Sequence, residues 1–287
     1  MFIPTKLASL ASTTLFVLLW SSGAIFSKWG LAHASPFAFL LIRFLLALIA
    51  LAVLIPMLGY KLPAVGKPLL YAAGTGAVLL GAYQIFYLLA LDLNVTPGVM
   101  ATIMGVQPIL TAVLMERSRS WTRLFGLSLG LAGLILVVYQ SIGLGGMSLA
   151  GMLFGLLAMV SMTGGAIMQK RITDNPLGTL PVQYLAGALL CGVFVPFQPF
   201  HVEMSTGFIV PVLWMGLVVS VLATFLLYRL IAQGNLVNVT SLFYLVPAVT
   251  AIMDYLIFGN RLAMLSLLGM LLIVVGLVFV FRKPTLR

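Results

Sequence analysis

Residues 36–58 read PFAFLLIRFLLALIALAVLIPML, and this stretch decides the fold class. It begins at a proline, which is tolerated in the first turn of a helix, and Arg43 is its one charged residue. A helix that crosses a bilayer needs about 20 predominantly apolar residues. A strand of a membrane barrel would alternate in polarity, and this run is continuously apolar. The stretch is therefore predicted to be a transmembrane helix.

The composition extends this interpretation to the whole chain. Of its 287 residues, 62% are hydrophobic and 7% are charged, whereas a soluble domain has about 25% charged residues. Such a chain could not cover a surface that faces water, which excludes a soluble enzyme, a disordered chain and a nucleic-acid-binding module. The single cysteine, Cys191, lies in an apolar run and is interpreted as packing. We expect no disulfide framework, no metal cluster and no cofactor.

Apolar runs separated by charges, proline and glycine predict ten transmembrane helices. The predicted spans are 9–31, 36–58, 68–91, 97–115, 121–140, 150–170, 177–199, 208–231, 238–258 and 262–281. The connections between them are too short for a folded soluble domain. The sequence thus predicts an all-α integral membrane protein with one integrated membrane domain.

The placement of lysine and arginine predicts the orientation. With a cytoplasmic N-terminus, 12 of the 15 Lys and Arg residues lie on the cytoplasmic side, as the positive-inside rule requires. Lys28 and Arg261 lie on the other side, and Arg43 lies within helix two. Both termini are therefore predicted to be cytoplasmic, and the net charge of +10 reflects topology. The expected partners are the bilayer and a small molecule, not nucleic acid, in a monomer or homodimer.

Short sequence matches at nearly one spacing predict an internal duplication. The matched segments are 23–28 with 165–170, 107–112 with 246–251, and Gly126 and Gly133 with Gly269 and Gly276, at spacings of 142, 139 and 143. Five helices per half would give the halves opposite orientations, as in transporters built from inverted repeats. The predicted repeats are 1–143, with helices one to five, and 144–287, with helices six to ten.

The motifs that carry a family resemblance run along most of the chain. They are LWSSGA at 19–24, Pro36, Arg43, Pro97-Gly98, Pro108, Glu116, Gly126, Gly133, Pro247, Gly269 and Gly276. Together they resemble EamA-type members of the drug/metabolite transporter superfamily. The resemblance implies two inverted five-helix repeats, export of small metabolites such as amino acids, and residence in a bacterial inner membrane. The family's usual acidic residue at the end of helix nine is Asn260 here, whereas Glu116 keeps it in the first half.

Polar side chains within the spans are the candidate substrate-binding residues, because such groups are costly in lipid. Arg43 would either bind a substrate carboxylate or bond backbone carbonyls between helices, and the second half has no matching arginine. In helix three, Tyr83 and Tyr87 share a face and Gln84 is adjacent. The three would either bind a zwitterion or neutral metabolite, or pack as ordinary buried side chains.

Prolines predict breaks at matching positions of helices four and nine. Gln107-Pro108 lies in the middle of helix four and Pro247 in helix nine, and proline removes one helical hydrogen bond. Interrupted helices in both halves indicate a transport site, although such kinks also serve packing alone. The other candidates for the same cavity are Trp20, Ser21, Tyr228, Phe243 and Tyr244.

Asp254 lies about a turn from the outer end of helix nine. It would either couple protons to transport or pair with Arg261 or Lys28.

The leading function is a secondary transporter that works by alternating access, and a passive facilitator or channel remains open. An intramembrane enzyme would need a nucleophile with a base, or a metal cluster, at membrane depth, and His33 and His201 are predicted to lie in external loops.

Overall fold

The computed structural model of the protein describes residues 5–93, 95, 97–116, 120–139, 148–258 and 264–281. These residues form helices and short connections, and the β-structure among them is one isolated antiparallel bridge between Ala34 and Val202. The prediction of an all-α protein is therefore confirmed.

The described residues form ten helices, labelled in chain order. They are α1 (Thr5–Leu31), α2 (Pro36–Met57), α3 (Lys67–Asp92), α4 (Pro97–Met104 and Gln107–Met115), α5 (Trp121–Val138), α6 (Leu149–Lys170), α7 (Pro176–Phe194), α8 (Thr206–Gln233), α9 (Leu236–Ser241 and Leu245–Phe258) and α10 (Met264–Phe281). Nine stretches of the described chain are long and apolar enough to cross a membrane, and the remaining one, Val99–Met115, is shorter. Each predicted span overlaps one of these helices.

Helices α5 and α10 make close contact through their glycines. A Cβ atom at Gly126 would lie 2.7 Å from the carbonyl oxygen of Gly276, and one at Gly133 would lie 2.6 Å from that of Gly269. A side chain at these positions would push the helices apart, so small residues are needed for this approach. Because Gly126 faces Gly276 while Gly133 faces Gly269, the two helices run antiparallel.

The other helices form two bundles. In one bundle, α1 packs against α8 and α9, and α2 packs against α8. In the other bundle, α6 packs against α3 and α4, and α7 packs against α3. We call α1, α2, α8 and α9 the first bundle, and α3, α4, α6 and α7 the second bundle. Helices α2 and α7 pack against each other and join the bundles. The contacts named in this paragraph are unchanged when helices one to five are exchanged with six to ten.

The two ends of this assembly differ in packing. We call the end that carries Lys61 and Lys170 the inner end, and the end that carries His33 and Asp92 the outer end. At the inner end, the start of α9 packs against the end of α4, and α6 packs against the last turns of α8. At the outer end, no comparable packing joins the matching segments among the described residues. In the part of the chain that the structure describes, the bundles therefore meet at the inner end and lie apart at the outer end.

Loops connect α2 and α7 at both ends. At the outer end, the backbone N–H of Glu203 donates to the carbonyl oxygen of His33 at 2.8 Å, and Nδ1 of His33 lies 2.9 Å from Oε2 of Glu203. At the inner end, the carbonyl oxygen of Lys61 lies so close to Gly178 that a Cβ atom there would collide with it. Helices α2 and α7 are thus joined by contacts near both of their ends.

Candidate functional site

Arg43 lies where α2, α3 and α8 meet. Its Nε donates to Oγ of Ser220 at 2.7 Å, and its Nη1 donates to Oε1 of Gln84 at 3.0 Å. A guanidinium group has five N–H donors, and the remaining donors of Arg43 have no partner among the described residues. The Arg43 side chain is half-buried. The site therefore offers unused donors on a permanently charged group.

The partners of Arg43 are neutral. The described ion pairs join His33 to Glu203 and Arg123 to Glu116, and none involves Arg43. A charge at membrane depth is costly, and such residues face a bundle interior or a water-filled space. Arg43 spans both bundles, because Ser220 lies in the first bundle and Gln84 in the second. This arrangement can bind an anionic group between the bundles.

Two π-helical segments adjoin the Arg43 site. They are Ala77–Ala82 in α3 and Trp214–Ala223 in α8, and the repeat spacing brings them to matching positions of the two halves. Gln84 follows the first segment and Ser220 lies within the second. Such segments are rare and occur frequently at functional sites.

The π-helical turn in α8 releases a backbone acceptor. The N–H of Thr224 donates to the carbonyl oxygens of Val219 and Val221, five and three residues back, and not to that of Ser220, four residues back. The released carbonyl oxygen of Ser220 accepts a hydrogen bond from the Tyr184 hydroxyl at 2.6 Å. Ser220 is therefore fixed by Tyr184 through its backbone while its side chain accepts from Arg43.

Tyr184 makes a contact in the second half that resembles the contact of Arg43 with Gln84 in the first half. Tyr184 follows Arg43 by 141 residues and Thr224 follows Gln84 by 140 residues, both within the range of 139 to 143 that the matched segments give. The Tyr184 hydroxyl lies 3.2 Å from Oγ1 of Thr224, so in each half a side chain of the second helix is hydrogen-bonded to a side chain of the third helix. Tyr184 is fully buried, whereas Arg43 is half-buried. The charged and accessible member of the pair lies in the first half.

An aromatic cluster lies at the junction of α1 and α9. The ring centroids of Trp20 and Phe243 are 5.5 Å apart, and Phe16 lies 5.7 Å from Phe243. Ser21, next to Trp20, is fully buried and its hydroxyl has no partner among the described residues. Thr250 of α9 donates to the Ser21 carbonyl oxygen at 3.1 Å. The structure therefore brings together the predicted residues Trp20, Ser21 and Phe243.

The predicted breaks in helices four and nine are present. Helix α4 is interrupted between Met104 and Gln107, and Pro108 follows the break. Helix α9 is interrupted by a 3-10 turn at Leu242–Tyr244, and Pro247 follows that break. The Gln107 side chain is 1% exposed, and its Nε2 has no partner among the described residues. The role of both breaks in gating stays a prediction.

The other predicted site residues occupy different surroundings. The rings of Tyr83 and Tyr87 pack edge to face, 6.1 Å apart. Tyr228 is fully buried in the main hydrophobic core. The ring of Tyr244 lies against Gly130 of α5, so it packs between α9 and α5 and not beside Arg43. The side chain of Asp254 lies outside the described residues.

Two residues of the site were not among the sequence candidates. Ser220 and Tyr184 lie in strongly apolar runs, where a single hydroxyl gives a weak signal. The signal that could have identified Tyr184 is the duplication, because the predicted spacings of 139 to 143 lead from Arg43 to residues 182–186, which include Tyr184. Ser220 has no such signal, because its contact depends on the π-helical turn.

These features define a multi-pass membrane protein with a polar site between two helix bundles. The family model of the EamA-like transporter family matches residues 9–139 and 149–282. The chain therefore belongs to the EamA-like transporter family, as the sequence motifs predicted.

Relatives and a solved structure agree with this assignment. The chain is 26% identical over 278 residues to the uncharacterized transporter YvbV of Bacillus subtilis (strain 168), covering 93% of this chain and 89% of YvbV. It is also 26% identical over 282 residues to the uncharacterized inner membrane transporter YedA of Escherichia coli (strain K12), covering 92% and 87%. A solved crystal structure with 19% identity superposes with a TM-score of 0.79 over 96% of this chain and 97% of that chain, and supports the fold. The protein is thus a multi-pass inner membrane protein of a transporter family.

Proposed function

We propose that this protein is a secondary transporter that exports small metabolites bearing a carboxylate, such as amino acids, by alternating access. The observation that carries the proposal is the half-buried Arg43 between the bundles, with neutral partners and unused N–H donors. An arginine pairs with a carboxylate through two parallel hydrogen bonds. A bound carboxylate would neutralise the charge and use the donors that the protein leaves unpaired.

Substrate recognition would begin with the orientation of the guanidinium. Gln84 and Ser220 each accept one hydrogen bond from it and so fix its plane without neutralising it. The half-buried Trp20 and Phe243 at the junction of α1 and α9 would offer ring faces and edges to the remainder of the substrate. Cations bind favourably against such ring faces, which suits the ammonium group of an amino acid.

Alternating access is supported by the packing of the two bundles. They meet at the inner end and separate at the outer end among the described residues, so a site between them would be reached from the outer side. A channel would need a continuous path, and the packing at the inner end therefore favours a transporter over a passive pore. Rocking of the bundles about the central pair α2 and α7 would expose the site to the other side.

We also propose that segments 1–143 and 144–287 are inverted repeats. The antiparallel pairing of α5 with α10 is what opposite orientation of the halves requires. The exchange symmetry of the helix contacts and the matching π-helical segments support the same interpretation. Inverted repeats provide two related conformations, one open to each side.

The test is uptake of labelled amino acids into proteoliposomes that contain the purified protein, with and without unlabelled amino acids inside. We expect preloaded substrate to accelerate uptake, because a loaded carrier returns faster than an empty one. Uptake without acceleration would favour a facilitator. No uptake across the panel would contradict amino acids as the substrate class.

A further inference from the structure

Lys170 holds the end of α8 at the inner end of the molecule. Its Nζ donates to the carbonyl oxygens of Ile231, Ala232 and Gly234 at 2.7, 2.9 and 2.7 Å. Carbonyl groups in the last turn of a helix lack intrahelical partners and carry partial negative charge. One ammonium group, with three donors, therefore satisfies three such carbonyls. The contact joins the second bundle, through α6, to the first bundle, through α8.

Lys28 is the counterpart of Lys170 in the first half. The two lysines end the matched repeat segments GAIFSK at 23–28 and GAIMQK at 165–170, and each lies in the last turn of its helix. Spacings of 139 to 143 residues lead from the three carbonyls that Lys170 contacts to the end of α3, the helix that closes at Asp92. Lys28 is exposed, and among the described residues it has no hydrogen bond or ion pair.

Lys170 is hydrogen-bonded and Lys28 is exposed, and this difference agrees with the packing of the helices at the two ends. At the inner end α6 packs against the last turns of α8, whereas α1 has no comparable contact with the last turns of α3 at the outer end, among the described residues. The engaged lysine thus lies at the end where the bundles meet. The exposed lysine lies at the end where they separate, and Asp92, at the same end of the molecule, is exposed as well.

We propose that Lys170 and Lys28 are alternating latches of the transport cycle. Lys170 holds the inner end closed by capping α8, and Lys28 holds the outer end closed by capping α3 and pairing with Asp92. Engagement of one requires release of the other. This inference rests on the alternating access proposed above and assigns residues to its two closed states.

The loop contacts between α2 and α7 do not serve this purpose. The contact of His33 with Glu203 at the outer end has a counterpart in the contact of Lys61 with Gly178 at the inner end, and both are present in the same structure. In a single conformation, a gate contact should be present at the closed end and absent at the open end. The lysine contacts differ in this way between the two ends, whereas the loop contacts are present at both.

The first experiment measures the separation of the bundles by electron spin resonance between pairs of spin labels, in proteoliposomes without substrate. Cys191 is replaced by Ala, and labels are attached at Arg171→Cys and Gln233→Cys for the inner end. Both native side chains are exposed. We expect Lys170→Gln to lengthen the inner distance in a larger fraction of molecules, with a shift in the population ratio of roughly tenfold from the loss of charge-assisted hydrogen bonds.

Two matched variants control for charge and fold. Lys67→Gln removes the same charge at the inner end from an exposed side chain and should leave the distance unchanged. Lys170→Arg keeps a cationic donor and should retain most of the short-distance population. An inner distance that responds equally to Lys170→Gln and Lys67→Gln, or to neither, would overturn the latch at Lys170.

The second experiment places labels at Trp29→Cys in α1 and Leu149→Cys in α6, both exposed at the outer end. In the Lys170→Gln variant we expect this outer distance to shorten as the outer end closes. Adding Lys28→Gln should abolish the shortening, and adding Asp92→Asn should reduce it. No shortening in Lys170→Gln, or equal shortening with Lys28→Gln present, would overturn the role of Lys28.

These measurements separate the latches from the proposed substrate. Both distances are recorded without substrate, so a lysine-dependent change combined with no amino acid uptake would reject the substrate class and retain the latches. Uptake accelerated by preloaded amino acids, combined with distances insensitive to both lysines, would retain the transporter and reject the latches.

Discussion

Two arginines, Arg43 and Arg123, are held in hydrogen-bonded clusters whose surroundings differ. The guanidinium of Arg123 donates to the Glu116 carboxylate, to Oδ1 of Asn238 at 2.8 Å and to the carbonyl oxygen of Val280 at 3.3 Å. Arg43 has two neutral partners and unused donors. Arg123 is therefore neutralised and enclosed by its own protein, whereas Arg43 leaves its charge and donors for a ligand.

The position of each arginine matches this difference. Arg123 joins α4, α5, α9 and α10 at the inner end, where the bundles meet, and the Arg123 and Glu116 side chains are 13% and 18% exposed. Arg43 lies between the bundles on the side where they separate. We therefore propose that Arg123 stabilises the packing of its helices and that Arg43 binds the substrate. The comparison can be tested by variants of both clusters.

The largest effect on transport is expected for Arg43→Gln. Losing charge-assisted hydrogen bonds, each about 1.5–3 kcal/mol, should weaken substrate binding by roughly 10- to 100-fold. The amount of protein in the membrane should stay the same, because no described carboxylate depends on Arg43. The measurement is the KM for uptake in proteoliposomes, with Arg43→Lys as a control that keeps the charge and loses the planar fork. Normal KM in Arg43→Gln would remove it from the binding site.

Glu116→Gln should affect stability more than transport. The variant leaves the largely buried Arg123 guanidinium without its neutralising partner, which should cost about 1–3 kcal/mol. Thermal unfolding of the purified protein in detergent should show a lower Tm, while the KM of the remaining folded protein changes little. A raised KM with an unchanged Tm would mean that the Arg123 cluster, too, binds substrate.

Gln84→Ala is expected to reduce transport moderately. It removes one neutral hydrogen bond to Arg43 and the support that orients the guanidinium, so the KM should rise by about 2- to 10-fold. Tyr83→Phe, on the adjacent residue, tests whether the phenolic hydroxyl also contributes, and we expect reduced transport there as well. Normal transport by both variants at unchanged membrane levels would exclude α3 from the site.

Tyr184→Phe should have the smallest effect of the series. The change removes the hydrogen bonds to the Ser220 carbonyl and to Thr224 and keeps the ring that packs against Phe44. Ser220 would be less firmly held, so we expect the KM to rise by about 2- to 5-fold with little change in membrane level. Tyr139→Phe, at an exposed position, is the matched control. Equal values for the two variants would contradict a positioning role for Tyr184.

The helices and their breaks could be predicted from the sequence because they depend on local properties. Apolar length determines the spans, and proline determines where α4 and α9 break, since the missing N–H acts on its own turn. These features need no knowledge of which helices meet in space.

The contacts of the site could be predicted only in part. Arg43 and Gln84 were separate candidates because ionisable and amide groups are conspicuous in apolar helices, but the sequence does not indicate that they bond to each other. Ser220 became a partner through a π-helical turn, which has no simple sequence pattern. Tyr244 is as polar as Tyr83, and only the packing of its ring against Gly130 places it with α5.

The central claim is that Arg43 recognises a substrate carboxylate. The most direct test compares uptake of a labelled amino acid with uptake of its carboxamide, which lacks the negative charge, by the native protein and by Arg43→Gln in proteoliposomes. We predict that the native protein prefers the amino acid and that Arg43→Gln loses this preference. Equal uptake of both compounds by the native protein, or an unchanged preference in Arg43→Gln, would contradict the claim.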